Sequence, residues 1–410
     1  MSFSQALSGL NSQAQKLGAI GNNIANSQTV GFKGSNVQFS DVFANSKVGL
    51  GTRVSAVLQN FSEGNIESTN RNLDLAVAGN GFFRFMDSSG EVVYSRNGQL
   101  SMTSDGNLIN AQGFRIMGYG LNAAGQVQVG GQPVPLNVSA EELAASATTR
   151  VGTTINLDAR KVIGDDLSTV ETAGGDMIDY HYSNNFTIYD SLGNPRNITV
   201  YYEKAGANQW TAKMTLDGQA LMNGANPEEF NLEFNANGQL ITPANGTLGV
   251  TFDSATYLGG GPDDLTFDLN LAGTTQFGNT STVSSLTQNG YTSGTLVGIT
   301  INDDGTIMRN YSNEESRPAG QIALASFRNP EGLTPAGDNV WRASNESGQE
   351  LIGAPGTGLL GGVVSGAVET SNVDMARELV SMIVAQRAYQ ANSQTIKTQD
   401  ELLQTAINLR

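Results

Sequence analysis

The chain contains no cysteine and a single histidine, His181. The first absence excludes a disulfide framework and thiolate chemistry. The second excludes a metal centre built from several histidines and leaves a Ser-His-Asp triad only one residue to pass through. In "DYHYSNNF" that histidine reads as an ordinary strand or loop position. Charge is scarce: Asp, Glu, Lys and Arg make up 15% of 410 residues, and the basic residues are outnumbered 22 to 38. The net charge of −16 argues against a nucleic-acid partner, since phosphate contacts need clustered Lys and Arg. No apolar run reaches the ~20 residues that span a bilayer, so membrane insertion is not expected. The opening "MSFSQALSGLNSQAQKLG" lacks a basic n-region and a continuous apolar core, so any export is expected to bypass a Sec signal. "AGNGFF" is not a G-x-G-x-x-G phosphate loop, and "NDDGT" and "TSDGN" lack the alternating acids and closing Glu of a calcium loop. No catalytic residue, metal or cofactor is expected.

Proline is confined to the interval Pro133–Pro355, which leaves both ends free of helix breakers. At the N-terminus, Phe3, Leu7, Leu10, Ala14, Leu17, Gly21 and Ile24 recur in steps of four and three, the pattern of a helix pressing a narrow seam onto partner helices. At the C-terminus, Met375, Met382, Tyr389, Ile396 and Leu403 recur every seven residues, with Leu379, Ile383, Ala385, Ala406 and Ile407 widening the stripe. Asn372 or Ser371 is available as N-cap, and Asp374 and Glu378 suit the positive helix start. The two ends together carry +1, leaving −17 for the middle. Weakly charged helices with apolar seams fit two readings. They pack on each other as a small bundle, or they pair and then associate with further copies. Their nearly uncharged outer faces favour the second. Alone, such segments are marginal helices, so disordered ends are expected in the monomer.

Glycine is abundant, at 49 residues, and Asn-Gly or Asp-Gly dipeptides occur nine times between residues 80 and 305. Between alternating runs such as "EVVYSRNGQLSMT" they predict hairpin turns with positive φ. The expected fold class is therefore α+β: paired, coiled-coil-like terminal helices around discontinuous β-rich middle domains. The expected boundaries are residues 1–30 with 371–410 for the helical core, and 31–72 with 356–370 for an extended connector. A first β domain is expected over 73–145 with 285–355, and an inserted outer β domain over 146–284.

The stretch "GNNIANSQTVGFKGSNVQFSDVF" closely resembles the N-terminal signature of the bacterial flagellar rod and hook proteins, matching it at Asn22, Asn23, Ala25, Asn26, Gly31, Phe32 and Lys33. "GNGFFRF", "YSRNGQLSMTSDGNLINAQGFRIMGY" and the closing "VDMARELVSMIVAQRAYQANSQTIKTQDELLQTAINLR" resemble the family's first β domain and last helix. The resemblance implies a structural subunit that self-assembles into a helical tube. It further implies a flexible universal joint that transmits motor torque from rod to filament, outside the cell. Export would go through the flagellar type III apparatus. Partners would be further copies of the chain, the distal rod protein, the hook cap and the hook–filament junction proteins. The competing readings are a distal rod subunit, which should be shorter and straight, and a secreted β-rich glycan-binding protein or enzyme. In the connector, Gly31 and Gly34 are expected to give backbone freedom, the asparagines to adopt left-handed turns at the helix end, and Phe32 to act as an apolar anchor.

Overall fold

The computed structural model describes residues 3–43 and 49–408, with side chains to residue 405. Two long helices lie at the ends, Phe3–Ala25 and Met375–Asn408, and nearly everything between them is β-structure. No described helix is long and apolar enough to cross a membrane. The chain divides into two compact units. The first comprises residues 1–140, 298–310 and 316–410, and the second comprises 141–297 and 311–315.

In the first unit the two helices run antiparallel, with Asn23 meeting Glu378 and Gly9 meeting Asn392. The N-terminal helix buries Ala6, Gly9, Ser12, Ile20 and Asn23, whereas Phe3 and Leu7 stay exposed and Leu10 and Leu17 are only partly covered. The close face is therefore a line of small residues beside the predicted leucine seam. The reason is steric. A Cβ at Gly9 would sit 2.9 Å from the Asn392 amide, so only a small residue lets the backbones approach this closely. On its other flank this helix holds a hairpin of strands Ser35–Val42 and Gly51–Gln59. Gln5 donates to the Gly49 carbonyl (2.6 Å), and Ser8 and Ser12 bond the backbone of Thr52. Residues predicted as an extended connector are thus a paired ribbon, because "SNVQFSDV" and "GTRVSAVLQ" both carry the β-branched residues and period of strands.

The remainder of the first unit is a large, mostly antiparallel sheet. Strand Phe82–Met86 pairs with Val92–Ser95 and Arg115–Tyr119, and the core gathers Phe83, Phe85, Val93, Leu108, Ile116, Ile322 and Leu324. Strand Asp74–Ala78 pairs with Gly362–Ser365, and strand Ile66–Ser68 pairs with Ala367–Glu369, so the stretch before the last helix is woven into the segment that follows the hairpin. The second unit is built on two main sheets, with two small two-stranded ribbons beside them. Strand Arg150–Asp158 belongs to one and strand Pro195–Gly206 to the other, and both alternate buried and exposed positions. Their inward residues, among them Ile155, Leu157, Val200, Tyr202 and Trp210, form one core. His181 is structural there, its Nδ1 accepting the Lys204 N–H at 3.0 Å.

Of the predicted Asn-Gly and Asp-Gly turns, Gly81, Gly106, Gly218, Gly224, Gly238, Gly246 and Gly305 take the expected positive φ. Asp217-Gly218 makes such a turn between Leu216 and Gln219. Among the turns that begin with Asp or Asn and place Gly three residues later, Asp87, Asn110, Asn122, Asp190 and Asn235 share one device. In each, the first side chain accepts the N–H groups two and four residues on. The side chain thereby satisfies donors that a tight loop leaves unpaired.

Asp190 is fully buried, which by itself raises its pKa. Hydrogen bonds from the Asn194 side chain and N–H, from Arg196 and from the Leu192 N–H outweigh this and hold the carboxyl below the usual carboxylate range. The unfolded chain then binds this proton more readily than the folded one, so the contribution is present above about pH 4 and lost as pH falls further. Asp190→Asn keeps the accepting oxygen and should lose stability less steeply than the parent between neutral and acid pH. Urea midpoints across that range test this; an identical acid limb in both proteins would contradict it.

Candidate functional site

The predicted connector motif lies where the N-terminal helix ends and the β-structure begins. Asn22 and Asn26 knit the helix end together: the Asn26 amide donates to the Asn22 carbonyl (3.0 Å) and to its side-chain oxygen (2.9 Å). Asn23 is buried and exchanges two hydrogen bonds of 2.9 Å with the backbone of Ser35, which folds the incoming strand back against the helix. The asparagines work through their side chains; none of them takes the predicted left-handed conformation, which in this stretch is adopted by Gly31 alone, at φ 70°. A Cβ there would lie 2.6 Å from the Asn97 nitrogen. Ala25 is the exposed last residue of the helix, and Phe32 is half-buried.

The anchor is the neighbouring residue, Lys33, which is completely buried. Its ammonium donates to the Glu369 carboxylate (2.6 Å) and to the Ser62 carbonyl (2.6 Å). Glu369 is equally buried. Its Oε1 also accepts the Gly64 N–H (2.8 Å), and its Oε2 faces the Arg96 guanidinium at 3.3 Å. Arg96 in turn donates to the carbonyls of Val77 (3.2 Å) and Gly79 (2.7 Å). The Gly31 N–H closes the circle on the Glu369 carbonyl at 2.7 Å. One carboxylate therefore joins the connector, the strand before the last helix and the first β sheet. Burial drives the Lys33 ammonium and the Arg96 guanidinium below their ordinary pKa values, with Glu369 opposing the shift in both. Asn372, just ahead of the last helix, ties in beside them: its side chain accepts the Gly34 N–H (2.9 Å) and donates to the Asn60 carbonyl (2.7 Å).

The predicted helix seams are placed mostly outward. Phe3, Leu7, Ala14, Met375, Leu379 and Leu403 are exposed, and Leu10, Leu17, Ile24, Met382, Tyr389 and Ile396 are partly covered. Ile383 is also exposed, Ala385 is buried against the N-terminal helix, and the side chains of Ala406 and Ile407 fall outside the described residues. Near the start of the last helix Leu379, Val380, Ile383 and Val384 form an apolar face that nothing in the chain covers among the described residues, and Leu402 and Leu403 stand exposed separately near its end. Sequence reasoning missed Arg96 and Glu369, and it offered Asn372 or Ser371 as the N-cap, a role that Asp374 fills by accepting the Ala376 and Arg377 N–H groups. The only local signal is a lone acid set in the apolar run "GAVETS".

Removing one member of a buried ion cluster strands its partners. Glu369→Gln leaves two buried cations facing each other and should cost about 3–5 kcal/mol, whereas Lys33→Met, which leaves Glu369 with Arg96 and Gly64, should cost less. Denaturant unfolding of the soluble protein ranks them; a loss below about 1 kcal/mol for Glu369→Gln would contradict the assignment.

Four families match successive parts of the chain: "Flagella basal body rod protein" over residues 4–33, "Flagellar hook protein FlgE/F/G D1 domain" over 76–158, "Flagellar basal body protein FlaE D2 domain" over 156–291, and "Flagellar basal body rod FlgEFG protein C-terminal" over 364–409. The chain is 44% identical to the flagellar hook protein FlgE of Escherichia coli and 42% identical to that of Salmonella typhimurium, over the full length of both chains in each case. With the flagellar hook protein FlgE of Borreliella burgdorferi it shares 32% identity over 100% of this chain and 99% of the other. The crystal structure of Helicobacter pylori flagellar hook protein FlgE2 has a similar fold, with a TM-score of 0.54 over 74% of this chain and all of that one, at 14% identity. With relatives this similar along its whole length, the chain belongs to the flagellar hook protein family.

Proposed function

We infer that the chain is a structural subunit of the bacterial flagellar hook, which polymerises with copies of itself into a flexible helical tube carrying torque from rod to filament. The observation that carries this reading is the uncovered apolar face formed by Leu379, Val380, Ile383 and Val384 on the last helix, opposite the side on which Ala385 is buried. Burying each large apolar side chain is worth roughly 1.5–3 kcal/mol, and only further copies offer helices of matching character. Contacts of one surface with a different surface on the next copy do not close, and so build a helix. In this reading the terminal helices line the tube in coiled-coil-like packing, along the seams Phe3, Leu7, Leu10, Ala14, Leu17, Ile24, Met375, Leu379, Met382, Tyr389, Ile396 and Leu403. The acidic second unit faces outward, and its polar, hydrated contacts exchange at little cost as the tube bends. Lys33, Glu369 and Arg96 transmit force from the helix pair to the sheets. Export through the flagellar type III apparatus and joining to the distal rod, cap and hook–filament junction proteins complete the proposal.

Leu379→Asp combined with Ile383→Asp should abolish polymers in electron micrographs while leaving the circular dichroism of the soluble chain unchanged. Normal tubes from that variant would count against the reading. Gly31→Val, which forces a Cβ onto the Asn97 backbone, should impair assembly more than export; hooks of normal length and shape would contradict the role given to the connector.

A further inference from the structure

Two polar side chains of the second unit hold a single loop, residues 159–166, which follows strand Arg150–Asp158. Lys204 is buried and makes no ion pair among the described residues; its ammonium donates to the carbonyls of Ala159 and Lys161, the second at 2.7 Å. His181 is the chain's only histidine. Its Nδ1 accepts the Lys204 N–H, which puts the proton of the neutral ring on Nε2, and Nε2 donates to the carbonyls of Val162 (3.0 Å) and Asp165 (3.1 Å). Between those carbonyls the chain makes a turn, closed by the Asp165 N–H on the Val162 carbonyl (3.3 Å) with Gly164 at φ 71° in the third position. What this framework displays is apolar: Val162 is 60% exposed and Ile163 57%. The charges around the tip are nearly balanced. Arg160 pairs with Asp158 (2.8 Å) and Lys161 with Asp166 (3.0 Å), which leaves Asp165 exposed and without an ion pair among the described residues.

The first unit carries a feature of the opposite kind, a pocket of about 780 Å³ with a strongly apolar lining that includes Phe61, Phe82, Phe327 and Leu359. Phe82 and Phe327 form its buried wall and pack edge to face at 6.1 Å, whereas Leu359 stands exposed at its rim. Two cations border it. Arg96 is engaged by Glu369, and Arg328 is exposed and makes no ion pair among the described residues. The volume admits a whole turn of chain rather than a single side chain, and an exposed apolar concavity of this size on a soluble surface marks a site of association.

We propose that the Val162–Ile163 turn in the second unit of one copy seats in the Phe61–Phe82–Phe327–Leu359 pocket in the first unit of a second copy, with Asp165 meeting Arg328. Two branched aliphatic side chains enter an aromatic pocket, and the one unpaired acid of the tip meets the one unpaired base of the rim. Apolar anchors in a desolvated pocket concentrate the energy of an interface, and a charge pair at its edge sets the orientation. The bonds from Lys204 and His181 fix the turn before it docks, so little conformational freedom is lost on contact. That gives a purpose to a buried ammonium that has no counter-ion and to the single imidazole. Because turn and pocket are different surfaces, each copy offers one of each, and the contact propagates from copy to copy.

The inference rests on the self-assembly reading above, and the absence of native cysteine allows the two to be tested apart. Gln349 is exposed at the pocket, so the full-length chain carrying both Ile163→Cys and Gln349→Cys keeps Val162, Asp165, Arg328 and the aromatic wall. It is polymerised and treated with a short bismaleimide. The expected result is a ladder of dimers, trimers and higher species on a denaturing gel, formed only under polymerising conditions and absent from either single variant; the two single variants copolymerised should give dimers and nothing larger. Tubes that form normally but give no ladder, or only a cross-link within the monomer, would overturn the turn-and-pocket contact while leaving the hook reading intact. Failure of the parent chain to polymerise at all would instead overturn the hook reading. In a second arm, which decides the matter if the cysteine variant does not assemble, Asp165→Arg and Arg328→Asp should each slow polymerisation several-fold and restore it when combined. Additive loss in the double variant would overturn the contact.

Discussion

A single buried carboxylate, that of Glu369, holds the first unit together. It is reached by an ammonium from the end of the N-terminal helix and by a guanidinium from the first sheet, and its own backbone pairs with the segment after the hairpin. Such a cluster is costly to bury, because each ion must leave water, and it is stable only when every lone pair is used. Glu369 comes close to that condition, accepting from the Lys33 ammonium, the Arg96 guanidinium and the Gly64 N–H. The value of the arrangement lies in its geometry. Apolar contacts slide, whereas a triad with fixed hydrogen-bond directions sets how the paired helices leave the β core. That rigidity is placed where the helix pair meets the first sheet.

The helices divide two tasks between two faces. Gly9 on one helix and the buried Ala385 on the other let the pair approach closely within one chain. Large apolar residues remain on the opposite side of the last helix, where they have no partner in the same chain among the described residues. A monomer built this way is soluble only while its net charge of −16 and polar middle outweigh that stripe.

The helical ends were legible from the sequence because apolar periodicity and the absence of proline are local signals that survive any tertiary arrangement. Which face each helix turns to its partner was not legible, since Gly9 and Ser12 carry no hydrophobic signature and their role exists only at close approach. The β-rich middle and its turns were visible in the glycines, but the turn chemistry belongs to the Asp or Asn three residues before, as at Asp190-Ser-Leu-Gly193. The connector motif was found as a string of residues, yet its anchor was assigned to Phe32. Lys33 was named in the motif but given no anchoring role, because a lysine is rarely fully buried and the partner that makes its burial tolerable lies 336 residues away. Long-range ionic contacts of this kind leave no trace in local composition.

The central claim is that the outer face of the last helix is completed by other copies of the chain. Backbone hydrogen exchange over residues 375–405 tests it most directly, read on the dilute monomer and on the polymer of the same protein. The account predicts rapid exchange throughout that helix in the monomer and strong protection on polymerisation, extending through Leu402. Equal protection in both states would mean the helix is already complete within a single chain, and would contradict it.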